Sequence, residues 1–162
     1  VNYYTPMRVC HDPAEGAEFP ATVNAKPVSD VKTDIGWEVF PQALGDLIRT
    51  VNERYALPDC YITENGAAYN TGVENGVVDD QPRLDYIAEH LSITADLIRE
   101  GYPMKGYFAW SLMDNFEWAE GYKMRFGIVH VDYDTQIRTI KKSGHWYKEL
   151  AEQFPKGNHK AG

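Results

Sequence analysis

Glu64 has the setting in this sequence that most suggests chemistry. It follows a short β-prone run, Cys60-Tyr61-Ile62-Thr63, and is followed by Asn65-Gly66, a pair that stops a strand. A carboxylate at the C-terminal tip of a parallel strand stands where α/β folds build their active sites, and in ionised form it can serve as a nucleophile. Taken alone, Thr63-Glu64-Asn65-Gly66 reads equally well as a loop cap or as the partner of an arginine. The other residue types that commonly do chemistry are spaced less informatively. His11, His90, His130, His145 and His159 form no HExxH or other metal spacing, and Cys10 and Cys60 form no CxxC pair. Neither a metal site nor a cofactor is expected, and both cysteines read as small buried apolar residues.

A catalytic carboxylate needs a strand to carry it and helices to cover that strand. Val1-Asn2-Tyr3-Tyr4 reads as the end of a buried strand, with no initiator methionine before it, as if cut from a larger protein. Residues 11–36 lack an apolar period and mark a long loop. From Pro41, the spacing of Leu44, Leu47, Ile48, Val51 and Tyr55 predicts an amphipathic helix. After the strand ending at Glu64 comes a Gly- and Asn-rich loop over 67–80, with Asp80 placed to cap a second helix. Leu84, Ile87, Ala88, Leu91, Ala95 and Ile98 make its apolar stripe, and Gly101 and Pro103 end it. Lys105 to Leu112 predicts a strand that is apolar on both faces. A β-prone run over 127–133 suggests a hairpin-like excursion, and Ser143 opens a last helix with Trp146, Leu150 and Phe154 facing inward. Strand and helix alternate, which implies parallel βαβ units, yet three strands would leave two long bare edges.

Three blocks together resemble the family 1 glycoside hydrolases, retaining β-glycosidases such as the β-glucosidases. They are Val1-Asn2-Tyr3-Tyr4-Thr5, Tyr61-Ile62-Thr63-Glu64-Asn65-Gly66, and Gly106 through Gly127, which reads GYFAWSLMDNFEWAEGYKMRFG. The likeness runs from Val1 to Phe154. It implies an α/β fold, the (β/α)8 TIM barrel, with this chain covering roughly the sixth to eighth βα units, so that residues 1–162 are the C-terminal part of a single catalytic domain.

By that resemblance Glu64 is the nucleophile, Tyr4 donates its hydroxyl to that nucleophile, and Asn2 lies near the acid/base site, though Asn2 reads equally as a strand-end hydrogen-bonding residue. Trp110, Glu117 and Trp118 correspond to the pocket for the non-reducing sugar, as stacking floor, bidentate acceptor and donor. These types suit a sugar, because pyranose C–H patches pack on indole and ring hydroxyls bond to a carboxylate. A carboxylate between Phe116 and Trp118 is costly to bury without a partner, which favours a polar ligand over plain aromatic core. Phe126 borders the same pocket or belongs to the core. Trp37 matches an aglycone-side tryptophan, and it reads equally as a hydrophobic staple before the Pro41 helix.

The family's acid/base glutamate lies in an Asn-Glu-Pro motif on an earlier strand, and that tripeptide does not occur in these 162 residues. Retaining hydrolysis needs both carboxyls, so the chain by itself is expected to be inactive or weakly active. Closure of a barrel takes on the order of 250 residues. The expected partners are β-glucosides or short β-linked oligosaccharides, together with either the N-terminal part of the barrel or a second copy meeting the open sheet edges. A non-catalytic sugar-binding role is the alternative. A formal net charge of −8 argues against a nucleic-acid or anionic-membrane partner, both of which need a basic face. No apolar run reaches the roughly 18 residues of a membrane span.

Overall fold

The computed structural model describes residues 1–11, 21–22 and 25–153. In chain order its elements are β1 (Cys10–His11), β2 (Ala21–Thr22), α1 (Gln42–Tyr55), β3 (Cys60–Asn65), α2 (Gln81–Arg99), β4 (Met104–Ala109), β5 (Val129–Val131), β6 (Arg138–Ile140) and α3 (Lys142–Gln153). β1 and β2 pair antiparallel inside the segment expected to be loop, as do β5 and β6.

Pro41 precedes α1 with a φ of −58°, the value its ring imposes and a helix needs. At the other end Ala56 turns left-handed and its N–H closes on Asn52 O. Leu44 and Ile48 are buried, but Leu47 and Tyr55, expected on the same stripe, are 41% and 74% exposed. The covered arc is narrow because α1 meets α2 and the core on one side only.

The second helix starts after Asp80, as expected, but Asp80 makes no side-chain cap. Its carboxylate instead takes Nε of Arg83 at 2.8 Å and the backbone N–H and hydroxyl of Ser143 at 2.9 and 2.6 Å. The buried stripe is also rotated from the apolar reading. It runs through Arg83, Tyr86, Ile87, His90, Thr94 and Leu97, while Ile98 is exposed. Buried Arg83 spends its donors on the carbonyls of Ala67, Tyr69 and Arg125, so polar residues fill that face because each has a partner.

β3 and β4 run parallel, with Ile62 opposite Tyr107 and Asn65 opposite Ala109. Residues 1–3 lie along the other side of β3: Thr63 N–H donates to Val1 O at 2.8 Å, and Tyr3 N–H donates to Glu64 O at 2.9 Å. The order is therefore the opening segment, β3, then β4, all parallel. β4 stops at Ala109, three residues short of the expected Leu112, and the Trp110–Ser111 peptide beyond it is cis.

The helices cover one face of these strands, and Leu44, Ile48, Ile62, Leu97 and Met104 fill the core between. The expectation that β4 is buried on both sides fails, since Phe108 is 57% exposed. Cys60 is buried as expected. Cys10 is exposed, because the short β1–β2 ribbon gives it no core to enter. Trp146 packs on the cluster around Tyr86 and Ile87, whereas Phe154 lies outside the described residues.

Candidate active site

β3 ends where two backbones nearly touch. Trp110 N–H donates to Asn65 O at 2.8 Å, and a Cβ at Gly66 would lie 1.7 Å from Trp110 O, so only glycine fits. This contact sets Trp110 beside the tip that carries Glu64. From the other side the Tyr4 hydroxyl donates to Oε2 of Glu64 at 2.6 Å, a short charge-assisted bond. Burial, then the bond and charge of Glu64, push the Tyr4 phenol far above its ordinary value, so it stays a donor.

Glu117 belongs to the same group. Desolvation raises its pKa, a hydrogen bond from the Trp110 side chain opposes this, and the negative charge of Glu64 raises it further. The carboxylates at 64 and 117 thus feel one another, and Trp110 is the indole bonded to Glu117. Trp118 is 83% exposed in a short 3-10 turn, with a φ of 41°. The premise that Glu117 sits in an enclosed aromatic segment is not met, because Leu112, Phe116 and Trp118 all face outward. The buried carboxylate of this run is Asp114, which bonds to Lys141 and Arg125 at 2.8 Å each and to Gly127 N–H at 3.0 Å.

Tyr4, Trp37 and Phe126 form a ring cluster with centroids 5.8 to 6.1 Å apart. Trp37 therefore lies against the Tyr4 ring, and Phe126 is fully buried behind it. Asn2 is exposed. It sits in register with Glu64, but its side-chain oxygen accepts from the Thr63 hydroxyl at 2.6 Å.

Asn65, Tyr86 and Asp114 were not singled out from the sequence. The partners of Asp114 and Tyr86 are 27 and 82 residues away in the chain, so no local pattern marks them. A cleft of about 750 Å³ beside α1 and α2 is lined in part by Tyr86 but by none of Tyr4, Glu64, Trp110 and Glu117. Among the described residues no group of three or more His, Cys, Asp or Glu side chains could hold a metal ion, and no helix is long and apolar enough to cross a membrane.

Parallel strands backed by helices, with carboxylates and an indole gathered at the strands' C-terminal ends, are the arrangement of an α/β enzyme site, and the family and solved structures that this chain matches imply the (β/α)8 barrel, of which it covers about a third. The chain belongs to glycosyl hydrolase family 1, whose model matches residues 1–155. It is 74% identical over 159 residues to a β-glucosidase of Agrobacterium sp., an alignment covering 98% of this chain and 35% of that protein. It is 48% identical over 153 residues to β-glucosidase A of Thermotoga maritima, covering 94% of this chain and 33% of that one. Among solved structures, the virulence factor SghA with its substrate analogue salicin superposes with a TM-score of 0.92 at 75% identity, over 96% of this chain and 34% of SghA. The Thermotoga maritima β-glucosidase in complex with glucoimidazole gives 0.85 at 45% identity, over 93% and 33%. The chain spans about a third of the length of these relatives.

Proposed function

We propose that the complete protein hydrolyses β-glucosides with retention, and that this chain supplies the nucleophile and part of the sugar pocket. The observation that carries the reading is the 2.6 Å bond from Tyr4 to Glu64 at a strand tip. The phenol occupies one carboxylate oxygen and holds the group in one orientation, leaving the other oxygen to attack. In the first step that oxygen bonds to the anomeric carbon as the bond to the leaving oxygen breaks, and the leaving oxygen takes a proton from a second carboxylic acid. In the second step water attacks the anomeric carbon, gives its proton to the same group, and releases Glu64.

On this reading Trp110 and Glu117 bind the non-reducing sugar, by indole packing and by hydroxyl donation to a carboxylate, with Trp118 completing the pocket once a ligand is bound. Trp37 and Phe126 wall the Tyr4 side, and Asn2 faces the group that carries the acid. The salicin complex of SghA supports a β-glucoside as substrate. The proton donor belongs to the other two-thirds of the barrel, which precede the opening strand and close on the edge of β4. Residues 1–162 then form its sixth to eighth βα units within one domain, and the chain alone turns over little substrate. The uncovered side chains of Tyr61 and Phe108 fit a face awaiting that partner.

The test is trapping with an activated 2-deoxy-2-fluoro-β-glucoside in the complete protein, followed by peptide mapping. Labelling of Glu64 is expected, and a label on any other residue refutes the assignment.

A further inference from the structure

The regular pairing between the opening segment and β3 ends at the Tyr3 N–H, just before the residue whose side chain meets Glu64. Beyond that point buried side chains take over from the ladder. The amide of Asn65, wholly buried, donates to Tyr3 O at 2.7 Å and to the Tyr86 hydroxyl at 3.2 Å, while the Tyr107 hydroxyl donates to its oxygen. The Tyr86 hydroxyl, itself 1% exposed as a residue, donates to Tyr4 O at 2.7 Å. These two bonds hold the carbonyls on either side of the Tyr4 Cα. With both flanking peptide planes fixed, the backbone angles of Tyr4 are fixed, and so is the direction in which its side chain leaves the strand. Asn65 is also the neighbour of Glu64, so one side chain ties the position of the carboxylate to that of its donor.

We propose that Asn65 and Tyr86 are positioning residues that aim the Tyr4 phenol at Glu64. Neither presents a group to the open surface where a sugar would lie. Apolar residues at 65 and 86 would leave the carbonyls of Tyr3 and Tyr4 without donors, so the polar pair has a local reason to be there. Its consequence for catalysis rests on the nucleophile reading of Glu64. The hydrogen-bond geometry does not.

Proton NMR of the chain itself separates the two. A phenol held on a carboxylate gives a downfield, slowly exchanging hydroxyl resonance, assigned by its loss in Tyr4→Phe. Tyr86→Phe removes one oxygen and keeps the ring, which stacks on His90 at 4.1 Å. Asn65→Asp keeps the shape and the acceptor and removes the donor. In both variants the resonance is expected to disappear into exchange with water while near-UV circular dichroism stays that of the parent. Persistence of the resonance in folded Tyr86→Phe overturns the proposal, as does its absence from the parent. In the complete protein, fluoroglucoside labelling by the same variants should slow by roughly tenfold to a hundredfold, the scale of misplacing a reacting group, with label affinity unchanged. Parent-like labelling rates overturn the proposal too. A label that lands away from residue 64 refutes the function instead and leaves the NMR result standing.

Discussion

Gly66 and Trp110 pass so closely that a methyl group on the first would sit 1.7 Å from the carbonyl oxygen of the second. The obstacle is backbone, which no rotamer change can move. Gly66→Ala should therefore force β3 and β4 apart and cost about 3 kcal/mol or more, a drop in Tm on the order of 10 °C. Calorimetry of the purified chain measures this, and an unchanged Tm would show that the strand tips can part freely.

Removing the phenol should leave the fold and impair chemistry. Tyr4→Phe keeps the ring that touches Trp37 and Phe126 and deletes the hydroxyl on Glu64. In the complete protein the glycosylation step is expected to slow on the order of a hundredfold, the usual loss for one well-placed donor, with a smaller change in KM. Pre-steady-state kinetics with an aryl β-glucoside would expose a parent-like burst rate, which would dismiss this role for Tyr4.

His90 should make stability fall in mild acid. Its ring is packed between Tyr3 and Tyr86, with Nδ1 2.7 Å from Tyr86 O. Burial lowers its pKa from about 6.5 to about 4, against a smaller opposing effect of that backbone bond. The folded state therefore favours the neutral ring. Its contribution is complete above pH 6.5 and is lost as pH falls towards 4, at up to about 1.4 kcal/mol per pH unit. Urea unfolding across this range should show the slope, and His90→Asn should flatten it. Equal slopes in the two proteins would contradict the prediction.

The buried lysine holds the loop below the site. Lys141 and Asp114 are both inaccessible and 2.8 Å apart, and Asp114 also gathers Arg125, Gly127 and Val131. Lys141→Met strands part of that charge and should cost about 3 kcal/mol. Adding Asp114→Asn should recover some of the loss. Chemical denaturation of the single and double variants tests this, and strictly additive losses would mean the two residues are not coupled.

The strand ending at Glu64-Asn65-Gly66, the helices beginning after Pro41 and Asp80, and the parallel alternation were legible in the sequence, because periodicity, proline and glycine act on backbone within a few residues. The blocks around Tyr4, Glu64 and Trp110 were also enough to point to the family. The face that α2 buries was not legible. Arg83, His90 and Thr94 look like solvent residues until the carbonyls and rings that satisfy them are known, and Asp80 looked like a cap because its partner Ser143 is 63 residues away. Nor could Glu117 be told from Asp114 as the enclosed carboxylate of its run, since that depends on where Lys141 arrives. Residue types together with the family resemblance nominated Glu64 and paired Tyr4 with it. Only the tertiary structure gave that pair its 2.6 Å bond and placed Asn65 and Tyr86 behind both, because a hydrogen bond depends on which strands lie side by side, and that is settled by packing across the whole chain.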